Sequence, residues 1–277
     1  IERARVTRAA AEARSAETAV TAMLADAGKK KLSDLFERWN PDNSNDDSWY
    51  EVFEALGIED DANAFVASGT NPGNITTAEI DKFKKAEFLY TQIMYNLLRK
   101  GRAVDAVEIL GSPAAWEKEF GDDFGVGSDL SLPFADGVKG KLQDSYMDMG
   151  LDPWGTNQYR FFFGPWKIKD GAGASLPIFF RCYRYSDPDN DGTPDQYRYD
   201  DGAKAEADKI VPGNPKADNY YGYPAPKDLP VYVYSYGSNQ EPNQNGTDDV
   251  HDGGDDVNNW DQEQGWSEYS GEEDETS

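Results

Sequence analysis

The sequence predicts an α+β fold, with helices first and an antiparallel sheet after them. Three observations carry this. The opening 31 residues contain no Pro and are dominated by Ala, the strongest helix former. Residues 32–150 carry further amphipathic helical patterns broken by loops. After Gly150 the chain turns to aromatic and β-branched runs, separated by Gly, Pro, Asp and Asn clusters.

In the first helix, Val6, Ala9, Ala13, Ala16, Val20, Met23 and Leu24 recur at spacings of three and four. Gly28 ends the helix, and Lys29, Lys30 and Lys31 lie near the negative end of its dipole. The stretch DSWYEVFEALG predicts a short helix ending at Gly57, and 58–75 reads as loop. Thr76 and Glu79 form a capping-box pattern. The helix that follows places Ile80, Phe83, Ala86, Tyr90, Ile93, Met94, Leu97 and Leu98 on one stripe and stops at Gly101. RAVDAVEIL gives another short helix. Ser112 caps the next one, with Pro113 at its first position. Four strands are expected in QYRFFFGPWKIK, LPIFFRCYRY, DQYRYD and LPVYVYSYG. The organisation is therefore an opening helix at 1–32, a helical insertion at 33–149, a sheet region at 150–266 and an acidic tail at 267–277.

Composition narrows the functional classes. The 277 residues hold 52 Asp and Glu against 27 Lys and Arg, a formal charge of −25. Nucleic acid and anionic membranes are poor partners for such a chain, and divalent cations are good ones. One Cys and one His exclude an internal disulfide, a Cys-based zinc site and a His-pair metal motif. No apolar run is long enough to span a bilayer, and no signal peptide is visible. The start at Ile1, inside a helical pattern, reads as a cut within a longer protein. Catalysis is not expected. There is no GxSxG or phosphate-cradling Gly-Lys-Ser/Thr loop, and His251 lacks the context of a nucleophile's base.

The stretch Asp187-Pro188-Asp189-Asn190-Asp191-Gly192-Thr193-Pro194-Asp195 has the pattern of a calcium loop. Asp187, Asp189, Asp191 and Asp195 offer carboxylates and Thr193 a backbone carbonyl. Such hard oxygens suit Ca²⁺, and Gly192 permits the sharp turn around it. The pattern fits the first nine positions of an EF-hand loop, then departs, with Arg198 at the twelfth. It resembles the DxDxDGxxD element of thrombospondin type 3 repeats. The bland alternative is a polar hairpin turn between two strands. A second acidic stretch follows the last strand. It holds Asn239, Asp248, Asp249, Asp252, Asp255 and Asp256 with no Lys or Arg, and Trp260 is placed to pin its end. Composition leaves open a metal site or a solvated loop.

Asp152-Pro153-Trp154-Gly155 followed by Tyr159 resembles the DPWG…Y element of the major pseudopilin of type II secretion systems. Tyr234-Ser235-Tyr236-Gly237, the acidic loop and Asp256-Val257-Asn258-Asn259-Trp260 resemble that family's calcium loop. The RARVTRAAAEARS run is similar to the segment after the transmembrane half of type IV pilin-like helices. The resemblance covers about residues 1–32 and 150–262. It implies a pilin-like fold and calcium ligands at the Tyr236 carbonyl, Asn239 and Asp256, with Asp255, Asp252 and Asp249 competing for the remaining places. Asn239 stands where the family has Asp, and the loop is longer by NQNGTDDVHD. The helical insertion and the Asp187 loop have no counterpart in compact members.

The resemblance further implies a structural subunit of a secretion or pilus-like filament. Its partners would be copies of itself or related pilin-like subunits and the assembly machinery. An upstream helix would hold it in the inner membrane, with the folded part on the periplasmic or extracellular face. The alternatives from other classes are a calcium-dependent adhesive or ligand-binding module and, last, a secreted calcium-dependent hydrolase.

Overall fold

The computed structural model describes residues 2–37, 48–58, 66–68, 77–121, 130–155, 157–164, 167–169, 183–186, 196–199, 229–237 and 257–259. It mixes helices with small sheets, as expected. The helices are α1 (Glu2–Ala27), α2 (Ser48–Ala55), α3 (Thr77–Lys100), α4 (Ala106–Ile109) and α5 (Pro113–Phe120). The strands are β1 (Val66–Ser68), β2 (Arg160–Phe162), β3 (Lys167–Lys169), β4 (Tyr183–Ser186), β5 (Gln196–Tyr199), β6 (Tyr232–Ser235) and β7 (Val257–Asn258).

Helix ends follow the glycines. Gly28 has φ +67°, its N–H donates to the Ala25 carbonyl, and the Lys29 N–H donates to that of Leu24. Gly57, at φ +62°, repeats this closure, with Ile58 N–H reaching back to Phe53. A left-handed residue after the last turn lets the chain fold back onto orphan carbonyls, and Gly adopts it without a Cβ clash. Ser112 caps α5 by accepting from the Ala115 N–H at 3.3 Å, with Pro113 next in line.

The antiparallel sheet is present, and a parallel pair stands beside it. Among the described residues the strands form three ladders. These are an antiparallel sheet in the order β2-β6-β7, an antiparallel β4-β5 pair, and a parallel β1-β3 pair. The stretch 58–75, expected as loop, holds a strand at 66–68. The expected run QYRFFFGPWKIK is split into β2 and β3. Pro165 falls between them, and proline brings no N–H to a ladder. Nor was β7 foreseen, because two residues carry no readable alternation.

The core runs from α1 through α3 into the β2-β6-β7 sheet. Ala9, Ala10, Ala13, Ala16 and Val20 of α1 are buried, and α1 packs on β6 and β7. Small side chains let the helix approach closely but remove little apolar area from water. Polar bonds add to the joint, since Tyr159 donates its hydroxyl to Glu12 and Asn259 donates to Glu17.

α3 seals the edge of the sheet. Its predicted stripe is buried from Ala86 to Leu98, but Glu87, Phe88, Leu89, Thr91, Gln92 and Tyr95 are buried as well. The Thr91 hydroxyl accepts from the Phe161 N–H at 3.1 Å, and the Tyr95 hydroxyl accepts from the Tyr159 N–H at 2.8 Å. These two side chains, four residues apart on one helix face, satisfy edge-strand donors that would otherwise invite another strand. A second aromatic group surrounds Trp49, whose ring lies 5.5 Å from Phe36 and 6.2 Å from Tyr90. Gly101 is buried at φ +48°, where a Cβ would stand 1.9 Å from the Gln143 carbonyl oxygen.

Candidate functional site

Strand β6 is the meeting point of the three C-terminal segments singled out in the sequence. Its residues alternate between two faces. On one face, Ser235 donates its hydroxyl to Asp152 Oδ2 at 2.8 Å. Asp152 is only 3% exposed, and its Oδ1 accepts from the Gly155 N–H at 3.1 Å. That turn is closed by Gly155 N–H donating to the Asp152 carbonyl and by Asp152 N–H donating to that of Asn157. Gly155 has φ +85°, a conformation that favours Gly. Tyr95 closes the base of the turn from α3. Its hydroxyl donates to the Gly150 carbonyl at 2.8 Å while accepting from Tyr159. The DPWG element and the Tyr-Ser-Tyr-Gly element are thus joined through a buried carboxylate.

The third segment arrives antiparallel. Ser235 pairs with Val257 and Tyr234 with Asn258. Asn259 then takes over the ladder with its side chain. Its Oδ1 accepts from the Val233 N–H at 2.9 Å, and its Nδ2 donates to the Val231 carbonyl at 3.2 Å and to Glu17 of α1 at 2.9 Å. One amide ties two strands and a helix together.

On the other face of β6, Tyr234 and Tyr236 both donate their hydroxyls to Glu87 of α3, one to each carboxyl oxygen. Glu87 is 1% exposed. Arg160 of β2, also buried, places its guanidinium 5.0 Å from the centre of the Tyr236 ring. It bonds Glu119 of α5 at 2.9 Å and approaches Glu87 at 3.9 Å. Burial pushes the Glu87 carboxyl above its usual range, against the opposing pull of Arg160 and the two tyrosine hydroxyls. Burial likewise raises the Tyr234 phenol well above its ordinary value, and the neighbouring Glu87 adds to the effect. No local pattern in the sequence marks this acid–tyrosine–arginine group, because its members come from α3, β2, α5 and β6.

Of the predicted metal ligands, Tyr236 lies among the described residues, at the end of β6. Asp187, Asp189, Asp191, Thr193 and Asp195 lie outside them, as do Asn239, Asp252, Asp255 and Asp256. The segments carrying both sets have paired flanks. Ser186 pairs with Gln196 on either side of the first, and Ser235 with Val257 about the second. Among the described residues no cluster of His, Cys, Asp and Glu is grouped to hold a metal ion. Among the same residues no helix is long and apolar enough to cross a membrane. No protein family, curated protein or solved structure matches the chain.

Proposed function

We propose that this chain is the folded part of a pilin-like structural subunit, a pseudopilin of a type II secretion or type IV pilus-like filament, stabilised by calcium and without catalytic activity. The observation that carries the reading is the convergence on β6. The DPWG turn, the Tyr-Ser-Tyr-Gly strand and the Val-Asn-Asn segment, which suggested the resemblance separately, are bonded to one another through Asp152–Ser235 and Asn259. A long N-terminal helix packed on that same sheet supports it further.

The donor chemistry fits calcium. The chain leaves the sheet through Tyr236–Gly237 and returns at Val257, which is paired with Ser235 and covalently preceded by Asp256. Between these anchored ends lie Asn239, Asp252, Asp255 and Asp256, with no Lys or Arg from 238 to 256. With the Tyr236 carbonyl these residue types would offer oxygen donors of the kind Ca²⁺ takes. The Asp187, Asp189, Asp191, Thr193 and Asp195 set is the second candidate. A bound ion supplies the positive charge that lets these carboxylates sit together. The chain's own part is to bring the two ends of each segment side by side, so that less order has to be created on binding.

In the assembled state α1 would continue upstream into an apolar segment, held in the inner membrane before assembly and in the filament core afterwards. The sheet and its loops would face outward toward neighbouring subunits, on the periplasmic or extracellular side. The test is oxidative crosslinking in the source cells, using full-length protein with cysteines at Ala11 and Thr18, which are exposed on α1. A ladder of multimers is expected. Monomer alone, under conditions where the filament is present, removes the reading.

A further inference from the structure

We propose that Ser235 is the register key of β6, choosing through Asp152 between two pairings of the strand that differ by a shift of two residues.

The run Val231-Tyr232-Val233-Tyr234-Ser235-Tyr236 repeats with a period of two. All of it is buried, with the tyrosines on one face and Val231, Val233 and Ser235 on the other. A shift of one residue would exchange the faces, setting phenols where valines pack. A shift of two residues, about 7 Å along the strand, leaves each face with its own kind. The long connections 200–231 and 236–256 join β6 to β5 and β7, in place of a two-residue turn that would fix the pairing.

Most of what holds β6 is blind to such a shift. Asn259 bonds the Val233 N–H and the Val231 carbonyl, which are backbone groups that other residues offer equally. Glu87 takes the hydroxyls of Tyr234 and Tyr236. A shift that brings each residue to the place two ahead would present Tyr232 and Tyr234 to it instead. Leu229 would then follow into the place of Val231. The opposite shift is closed. It would draw Gly237, at φ +67°, and Ser238 into the strand and leave Glu87 with one tyrosine.

Two residues tell the registers apart. Ser235 is the one break in the alternation of Tyr and Val, and its hydroxyl donates to Asp152 Oδ2 at 2.8 Å. Asp152 is buried, so Val233 in that place would leave a carboxylate oxygen without this donor and out of reach of water. Pro230 is the second. The Val233 N–H faces Asn259, so the N–H of Tyr232 faces β2, where Tyr232 pairs with Phe162. Pro230 in the place of Tyr232 has no N–H to give. Ser235 thus selects the register in the middle of the sheet, and Pro230 acts as a stop at the strand's start.

Cross-strand α-proton contacts in the full chain, labelled at Val and Phe, read the register directly. Phe161 lies opposite Val233, and that contact alone is expected in the unsubstituted chain. Pro230→Tyr/Ser235→Val removes both obstacles, and a second contact, between Phe161 and Val231, should appear at about a tenth of the first or more. Pro230→Tyr/Ser235→Thr, which keeps a hydroxyl for Asp152, should show the Val233 contact alone. If Pro230→Tyr/Ser235→Val does not fold, Pro230→Tyr/Ser235→Ala carries the same expectation. A bond that only adds stability would leave Val233 the sole partner of Phe161 in every folded variant, and that result overturns the proposal. A Val231 contact of equal strength in Pro230→Tyr/Ser235→Thr overturns it as well.

Discussion

Replacing Asn259 with Ala should destabilise the fold by about 2–7 kcal/mol. The figure follows from its bonds. The backbone N–H of Asn259, which donates to the Val233 carbonyl at 3.0 Å, survives the substitution. Three side-chain bonds do not, and two of them satisfy the buried backbone groups Val233 N–H and Val231 C=O. Each such group left unpaired costs about 1–3 kcal/mol. The bond to Glu17 adds about 1 kcal/mol at most, because Glu17 is half-exposed and regains water. Against a total stability of about 5–15 kcal/mol this is a large fraction. Urea unfolding followed by tryptophan fluorescence, in chelator so that ion binding does not enter, measures it. Asn259→Asp should be at least as damaging at neutral pH, since it loses both donated bonds and sets a carboxylate toward Glu17. Glu17→Gln keeps an acceptor and should cost less than about 1 kcal/mol. A loss below about 1 kcal/mol in Asn259→Ala would refute the claim that this amide satisfies the buried Val233 N–H and Val231 carbonyl.

Gly101→Ala should cost about 3 kcal/mol or more, visible as a lowered urea midpoint, because it combines a positive φ with the approach to the Gln143 carbonyl. Asp152→Ala should cost about 1–3 kcal/mol by leaving the buried Ser235 hydroxyl without its acceptor, while the Gly155 N–H keeps the Asp152 carbonyl. A double-mutant cycle with Ser235→Ala should return a coupling of about 1 kcal/mol or more, and strict additivity would deny the bond. Burial raises the folded-state values of Tyr95, Tyr159 and Tyr234 above the ordinary 10.0, with Glu12 adding to the shift at Tyr159 and Glu87 at Tyr234. The unfolded chain therefore releases these protons first. Their contribution to stability is complete below pH 10 and is lost as the pH climbs above it, by about 1.4 kcal/mol per pH unit for each tyrosine. Tyrosinate absorbance should accordingly appear in two stages, the second coincident with unfolding; ionisation of every tyrosine in the intact fold would contradict this.

What was legible in the sequence is what repeats locally. The α3 stripe, the caps at Ser112 and Pro113 and the glycine endings of α1 and α2 each depend on a few neighbouring residues. Bonds between distant segments left no local mark. Glu87 and Arg160 acquire a role only where Tyr234 and Tyr236 meet them, from a strand well over a hundred residues downstream of Glu87. Asn259 looked like the end of a metal loop, whereas its amide extends the ladder of β6. Thr91 and Tyr95 fall among apolar neighbours, and their hydroxyls acquire a role only where α3 runs beside β2. The parallel β1-β3 pair is likewise non-local, and three residues are too few to show a period. The DPWG and Tyr-Ser-Tyr-Gly elements were found as words, and their joint through Asp152 and Ser235 followed from the fold.

The most direct test of the calcium-stabilised subunit is its melting temperature in calcium and in chelator. An ion with Kd of about 10⁻⁴–10⁻³ M, supplied at about 10 mM, contributes about 1.4–2.7 kcal/mol to the folded state. For a chain of this size that is a rise of several degrees, about 3–10 °C. The rise should shrink in D255A/D256A and vanish when D189A/D191A is added. Superimposable melting curves in calcium and in chelator would contradict the account.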